Sequence, residues 1–302
     1  MAAPSEEEIF DPEFLGKLRA MALRLRKRRM LKKKGAQSTP ATGFTREFKD
    51  FRHYTPNDDY RAIDWRLYAR LERLFIRLYE EVQEFHVHIL LDTSDSMVQP
   101  FPEKRLAALK LGVGLSYLGL VGQHRVTLYT MAERVVNAMP PMKGQGNITK
   151  VTDHLKGLEF GGVTDLAKCF KEFRPSRSRF GIIFVISDLF GGDVTAASEA
   201  IRRTSTWPGE VHMIQTIHPW ERNPDLDGEI ELVDVETQEM RRMWFTKRER
   251  KRYAAAFDAF LDGVERDCLS RQVDYIKWGT EEPFEDMFLE LLSRGSALAG
   301  GN

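Results

Sequence analysis

The sequence predicts an α/β protein: a mostly parallel sheet flanked by helices, with an N-terminal extension before it. Three observations carry this expectation. Two short runs, FHVHILL (85–91) and FGIIFVIS (180–187), are apolar at nearly every position, as strands buried on both faces of a parallel sheet must be. Such runs alternate with segments of helical length, the pattern of successive βα units. Each of the two runs is followed directly by an acid, Asp92 and Asp188. In open α/β sheets, ligands bind beyond the carboxyl ends of the strands.

The elements follow in order. Phe14, Leu18, Met21 and Leu25 recur at helical spacing inside a basic segment, giving one apolar stripe among cationic faces. GAQSTPATG (35–43) breaks that pattern and reads as a linker. Residues 44–84 mix aromatic and charged side chains around a turn at Thr55-Pro56-Asn57-Asp58. After the strand at 85–91 comes a helix over 103–121, with small residues at Gly112, Gly114 and Gly119. Strands are expected at 125–131 and 134–139, a helix at 147–157 and another after Thr164. The strand at 180–187 precedes a helix at 193–205 and a strand at 210–217. EIELVDVET (229–237) and MRRMWF (240–245) form a hairpin, 246–270 a long charged helix, 273–278 a last strand, and a helix closes the chain after Pro283. The expected organisation is thus a basic amphipathic helix and linker (1–40), an extension (41–84) and the α/β domain (85–295).

With 302 residues, 42% hydrophobic and 30% charged, the chain can bury a substantial core. Lys+Arg and Asp+Glu both number 45, so net charge points to no particular partner. The distribution is uneven: residues 1–16 hold five acids and no base, and Lys17–Lys34 holds ten bases and no acid. By difference, residues 35–302 carry 35 bases against 40 acids. Residues 17–34 could therefore bind an acidic surface weakly, or fold onto the acidic body of their own chain; the second is favoured, because no nucleic-acid module accompanies them. Cys169 and Cys268 are far apart and form neither a disulfide framework nor a thiolate metal site. The start MAAPSEEEIF is acidic where a secretory signal is basic, and the longest apolar-leaning run, Leu106–Gly122, spans 17 residues and contains Lys110. No transmembrane segment is expected, and the cytoplasm is the expected location.

Asp92-x-Ser94-x-Ser96 places one carboxylate and two hydroxyls on alternate positions, which in an extended segment project to one side. Gly161-Gly162-Val163-Thr164-Asp165 adds a hydroxyl and a carboxylate in a glycine-rich turn before a helix, and Asp188 ends another strand. Each alone is explained as a helix cap. If the strands are neighbours, Asp92, Ser94, Ser96, Thr164 and Asp188 surround one point. Such a set of hard oxygens suits Mg²⁺, with Mn²⁺ or Ca²⁺ as alternatives, rather than zinc. Ser94, Ser96 and Thr164 would ligate directly, with Asp92 and Asp188 acting through waters.

This arrangement resembles the metal-ion-dependent adhesion site of von Willebrand factor A domains. The flanks DPEFLGKLRAMALRLR, EFKDFRHYTPNDDYRAIDWRLYARLERLFIRLYEEV, ILLDTSDSM and HPWERNPDLDGEIELVDVET resemble the domain-of-unknown-function family numbered 58, over about residues 10–295. The run Y-x-P-x-D-D-x-R-x-I-D-W is the most specific part; Asn57 stands where the family usually has glycine. The resemblance implies a von Willebrand factor A-like core behind a family-specific extension, acting with a MoxR-type AAA+ ATPase as a metal-dependent, non-enzymatic adaptor or chaperone for a client protein. The membrane helices that many relatives carry upstream have no counterpart here.

Other signals are weaker. His86 and His88 share a strand face without a third ligand at zinc spacing and read as polar core residues. Asp58, Asp59, Arg61, Asp64, Arg66 and Arg70 form either a partner surface or ion pairs bracing the extension. No phosphate-binding G-x-x-x-x-G-K-[ST] loop and no G-x-S-x-G elbow occurs. The enzyme alternative is a Mg²⁺-dependent phosphohydrolase of haloacid-dehalogenase type. Such enzymes use D-x-D, however, and Ser94 cannot act as the general acid that the second aspartate supplies.

Overall fold

The computed structural model describes residues 14, 16–21, 45–56, 58–82, 85–175, 181–191, 195–235 and 238–294. The chain divides into two compact units, one comprising 1–34 and 85–302, the other 35–84.

The smaller unit pairs β1 (Thr45–His53) antiparallel with β2 (Phe75–Val82), with an irregularity between Phe48 and Asp50. Between them lies α1 (Trp65–Leu71). The acids of this region are consumed by local structure. Asp64 caps α1 by accepting from the Arg66 and Leu67 N–H groups, at 2.9 and 3.1 Å, and takes Arg77 Nε at 2.7 Å. Those bonds, the Arg77 guanidinium first among them, hold its carboxyl below the usual range. Asp58 accepts from Thr55 and Arg52, and Asp59 from the Arg61 N–H. The turn expected here closes through the Asp58 N–H to the Thr55 carbonyl at 2.9 Å; Asn57 lies outside the described residues. Tyr60, Trp65 and Tyr68 are exposed.

The larger unit is built on a six-stranded sheet. Its elements, in chain order, are β3 (His86–Asp92), α2 (Pro102–Val121), β4 (Arg125–Met131), β5 (Val135–Met142), α3 (Ile148–Lys156) and α4 (Leu166–Glu172). Then come β6 (Gly181–Ser187), α5 (Ala196–Thr204), β7 (Glu210–Ile217), α6 (Pro219–Arg222), β8 (Gly228–Val233) and β9 (Met240–Phe245). The unit closes with α7 (Lys247–Ser270), β10 (Asp274–Gly279) and α8 (Phe284–Arg294). The strand order is β10-β7-β6-β3-β4-β5; every pairing is parallel except β4 with β5. The fold class expected from the sequence is the one observed, and β3 and β6, buried at every position, are adjacent at its centre.

Each face of the sheet has its own core. Val87, Ile89 and Leu91 of β3 pack with α2, α3 and α8, whereas Leu90 packs with α4, α5 and α7. Phe14, Leu18 and Met21 of the helical N-terminal segment are buried in the first of these cores, and Lys17 reaches Glu285 at 3.1 Å. The apolar stripe therefore docks while the described basic residues point outward; Leu25 lies outside the described residues. His86 and His88 stack at 3.9 Å, and His86 meets Thr127 Oγ1 at 2.7 Å, as polar core residues should. Burial, with the neighbouring His86 charge adding to it, pushes His88 down to about 3. Cys169 and Cys268 are free and buried, and burial pushes both thiols up to about 12. Among the described residues, no helix is long and apolar enough to cross a membrane.

Candidate functional site

The carboxyl ends of β3 and β6 lie side by side, and Asp92 sits there with no solvent exposure. Its Oδ1 accepts from the Ser94 backbone N–H at 3.0 Å, from Ser94 Oγ at 2.7 Å and from Thr164 Oγ1 at 3.2 Å. Its Oδ2 accepts from Ser187 Oγ at 2.5 Å. Every one of these donors is neutral. Ser94 Oγ also lies 3.1 Å from Ser96 Oγ; since the Ser94 proton is spent on Asp92, Ser96 is the donor. Ser94 and Thr164 are buried and Ser96 half-buried, so the cluster opens outward at Ser96.

The sequence leads us to expect convergence of the hydroxyls by strand alternation, and the structure corrects this. The chain leaves the strand after Asp92 and turns through a 3-10 segment at Asp95–Met97. The Thr164 loop is strapped to this turn. The Gly161 N–H bonds the Thr93 carbonyl at 2.7 Å, the Asp95 N–H bonds the Gly162 carbonyl at 3.0 Å, and the Gly162 N–H bonds Asp95 Oδ2 at 3.1 Å. Gly162 has φ of +89°, which L side chains rarely adopt, so glycine is needed for this approach. Capping falls to Asp165, whose Oδ1 accepts from the Lys168 N–H at 2.9 Å, which leaves Thr164 to face Asp92.

Asp188 is equally buried but engaged otherwise. Lys104 Nζ of α2, also without exposure, reaches its Oδ2 at 2.6 Å, and the Phe190 N–H reaches Oδ1 at 3.0 Å. The same ammonium reaches Glu221 Oε1 of α6 at 2.7 Å, and Glu221 Oε2 accepts from the His218 N–H at 2.8 Å. Burial weakens the Lys104 charge, but the Asp188 and Glu221 carboxylates outweigh it and raise its pKa. Gln215 Nε2 holds the Asp188 carbonyl at 2.7 Å and itself accepts from Tyr275 OH. The structure thus brings Asp92, Ser94, Ser96 and Thr164 into one hydrogen-bonded cluster and gives the Asp188 carboxylate to Lys104.

Ser187 and Lys104 are the site residues that sequence reasoning missed. Ser187 reads as one more strand residue until β6 is known to lie beside β3. Lys104 reads as a solvated first-turn residue. The available signal was that α2 is apolar around almost its whole circumference, so a cation there needs anionic partners.

The electrostatics of Asp92 follow from burial. Burial first, and the Asp188 charge second, push its carboxyl up to about 6 against the hydrogen bonds from Ser187 and Ser94. A buried carboxylate with only neutral donors is costly, and a cation beside it would relieve that cost. Hydroxyls that give their protons toward Asp92 turn oxygen lone pairs away from it, and hard oxygens of this kind fit a hard divalent cation. Among the described residues no group of three His, Cys, Asp or Glu gathers to hold an ion, at this site or any other, so a cation here would depend on the hydroxyl oxygens.

Fold and site together define an α/β protein whose central strands end in a buried carboxylate–hydroxyl cluster. The chain belongs to the family described as "Protein of unknown function DUF58", which matches residues 50–259. Among solved structures it is similar to BatB from Bacteroides thetaiotaomicron, with 14% identity over 70% of this chain and 98% of that one (TM-score 0.42). It is similar also to an aerotolerance-related membrane protein from Bacteroides fragilis, with 15% identity over 69% and 99% of the two chains (TM-score 0.40). A third is the vWF domain of the type V pili tip protein Mfa5 from Porphyromonas gingivalis, with 10% identity over 73% and 98% (TM-score 0.40). No curated protein matches the sequence.

Proposed function

We propose that this protein is a metal-dependent, non-enzymatic protein-binding adaptor. Ser94, Ser96 and Thr164 would hold a divalent cation, Mg²⁺ in the first instance, with Asp92 and Asp188 supplying charge from behind. When bound, the ion supplies an electrophilic point that an acidic side chain of a partner can fill. The partner class suggested by the family resemblance is a MoxR-type AAA+ ATPase, or the client that it acts on.

The observation that carries this reading is the fully buried Asp92, hydrogen-bonded to four neutral donor groups and surrounded by hydroxyls that open outward at Ser96. The test is affinity capture from native lysate by wild type and Asp92→Ala, each with and without chelator, with circular dichroism to check the fold. A AAA+ protein captured by wild type and lost both on chelation and in the folded variant is the expected result. Capture that survives both treatments refutes the reading.

A further inference from the structure

Lys104 has no exposure, and it is among the largest fully buried side chains of the protein. Its Nζ lies 2.6 Å from Asp188 Oδ2, 2.7 Å from Glu221 Oε1 and 5.3 Å from the centre of the Phe190 ring. Lys104, Asp188 and Glu221 together carry one net negative charge, and Asp92 adds a second. Two net negative charges in buried surroundings match one divalent cation and leave a monovalent one short.

We propose that Lys104 is the site's resident cation: it withdraws Asp188 from direct metal contact and sets the charge that an incoming divalent ion meets. This rests on the metal-binding reading above. Both Asp188 oxygens are already engaged, one by Lys104 and one by the Phe190 N–H, so this carboxylate acts on the ion through space. Glu221 is pinned by the His218 N–H and takes up part of the ammonium charge. Lys104 thus offsets one of the two carboxylates it touches, which leaves the bound ion less fully neutralised than it would be without the lysine and better able to attract a partner carboxylate. Lys104 is in this sense a positioning residue, acting through Asp188.

The experiment is a calorimetric titration of Mn²⁺ into wild type, Lys104→Met and Glu221→Gln, with circular dichroism to verify folding. Removing one positive charge should tighten Mn²⁺ binding about tenfold, and removing one negative charge should weaken it by a similar factor, the scale of one charge acting at an intermediate effective dielectric. If Lys104→Met does not fold, Glu221→Gln carries the test, because it keeps the Lys104–Asp188 pair. Binding by Lys104→Met where wild type binds nothing overturns the metal reading for the natural protein, and with it the inference. Equal affinities, or changes of the opposite sign, overturn the inference and leave the metal reading standing. Absence of Mn²⁺ binding in all three overturns both.

Discussion

Replacing Leu18 by alanine tests whether the basic N-terminal segment belongs to the folded body. Leu18 is 0% exposed, and it lies in the core between Phe14 and Met21, which are 8% and 7% exposed. Truncating a fully buried leucine removes its transfer free energy and leaves a cavity, together about 2–5 kcal/mol. The electrostatic anchor is far weaker. Lys17 and Glu285 meet at 3.1 Å, but their side chains are 50% and 37% exposed, and such a pair is worth about 0–1 kcal/mol. Guanidinium-free denaturation, in urea with and without added NaCl, separates the two terms. Leu18→Ala should lose about 3 kcal/mol at either salt concentration, whereas Lys17→Ala should lose under about 1 kcal/mol, and less in salt. A Leu18→Ala variant within about 0.5 kcal/mol of wild type would refute the docked stripe. So would a salt-dependent release of the segment.

Two further outcomes follow from the core. A Cβ added at Gly119 would lie 2.6 Å from Val126 Cγ2, so Gly119→Ala should destabilise by about 1 kcal/mol in denaturant titration, overpacking outweighing the gain in helix propensity. His88 is held at about 3 in the folded state against 6.5 ordinarily, so below pH 6.5 the unfolded chain binds the proton and the folded one does not. This contribution costs nothing above pH 6.5 and grows as pH falls toward 3, reaching about 2 kcal/mol near pH 5; a His88→Leu variant should show a flatter stability profile over that window.

The sheet was legible because its central strands are buried on both faces. In such strands every position must be apolar, so FGIIFVIS marks itself without help from its neighbours. The order β6-β3-β4 was not legible in this way, since pairing is set by contacts far apart in sequence. The unread order hid Ser187, whose role exists only because β6 runs beside β3. The Asp92, Ser94 and Thr164 cluster could be read because its residues follow strand ends and a glycine-rich turn. The fate of Asp188 could not, because it depends on a lysine 84 residues away that local sequence marks as solvated.

On the proposed metal-binding reading, Asp92 works through its neighbours more than by direct contact. A carboxylate offers about four lone-pair directions, and here three donors converge on Oδ1 and one on Oδ2. An Asp92 acting as anchor keeps them all. By accepting the Ser94 and Thr164 protons it fixes the rotors of two hydroxyls, and the Ser94 oxygen in turn accepts from Ser96. The negative charge is thereby spread along a hydrogen-bonded chain that ends at half-buried Ser96, while the carboxylate stays buried. On the proposed metal-binding reading, these hydrogen bonds orient the hydroxyls that would hold the ion.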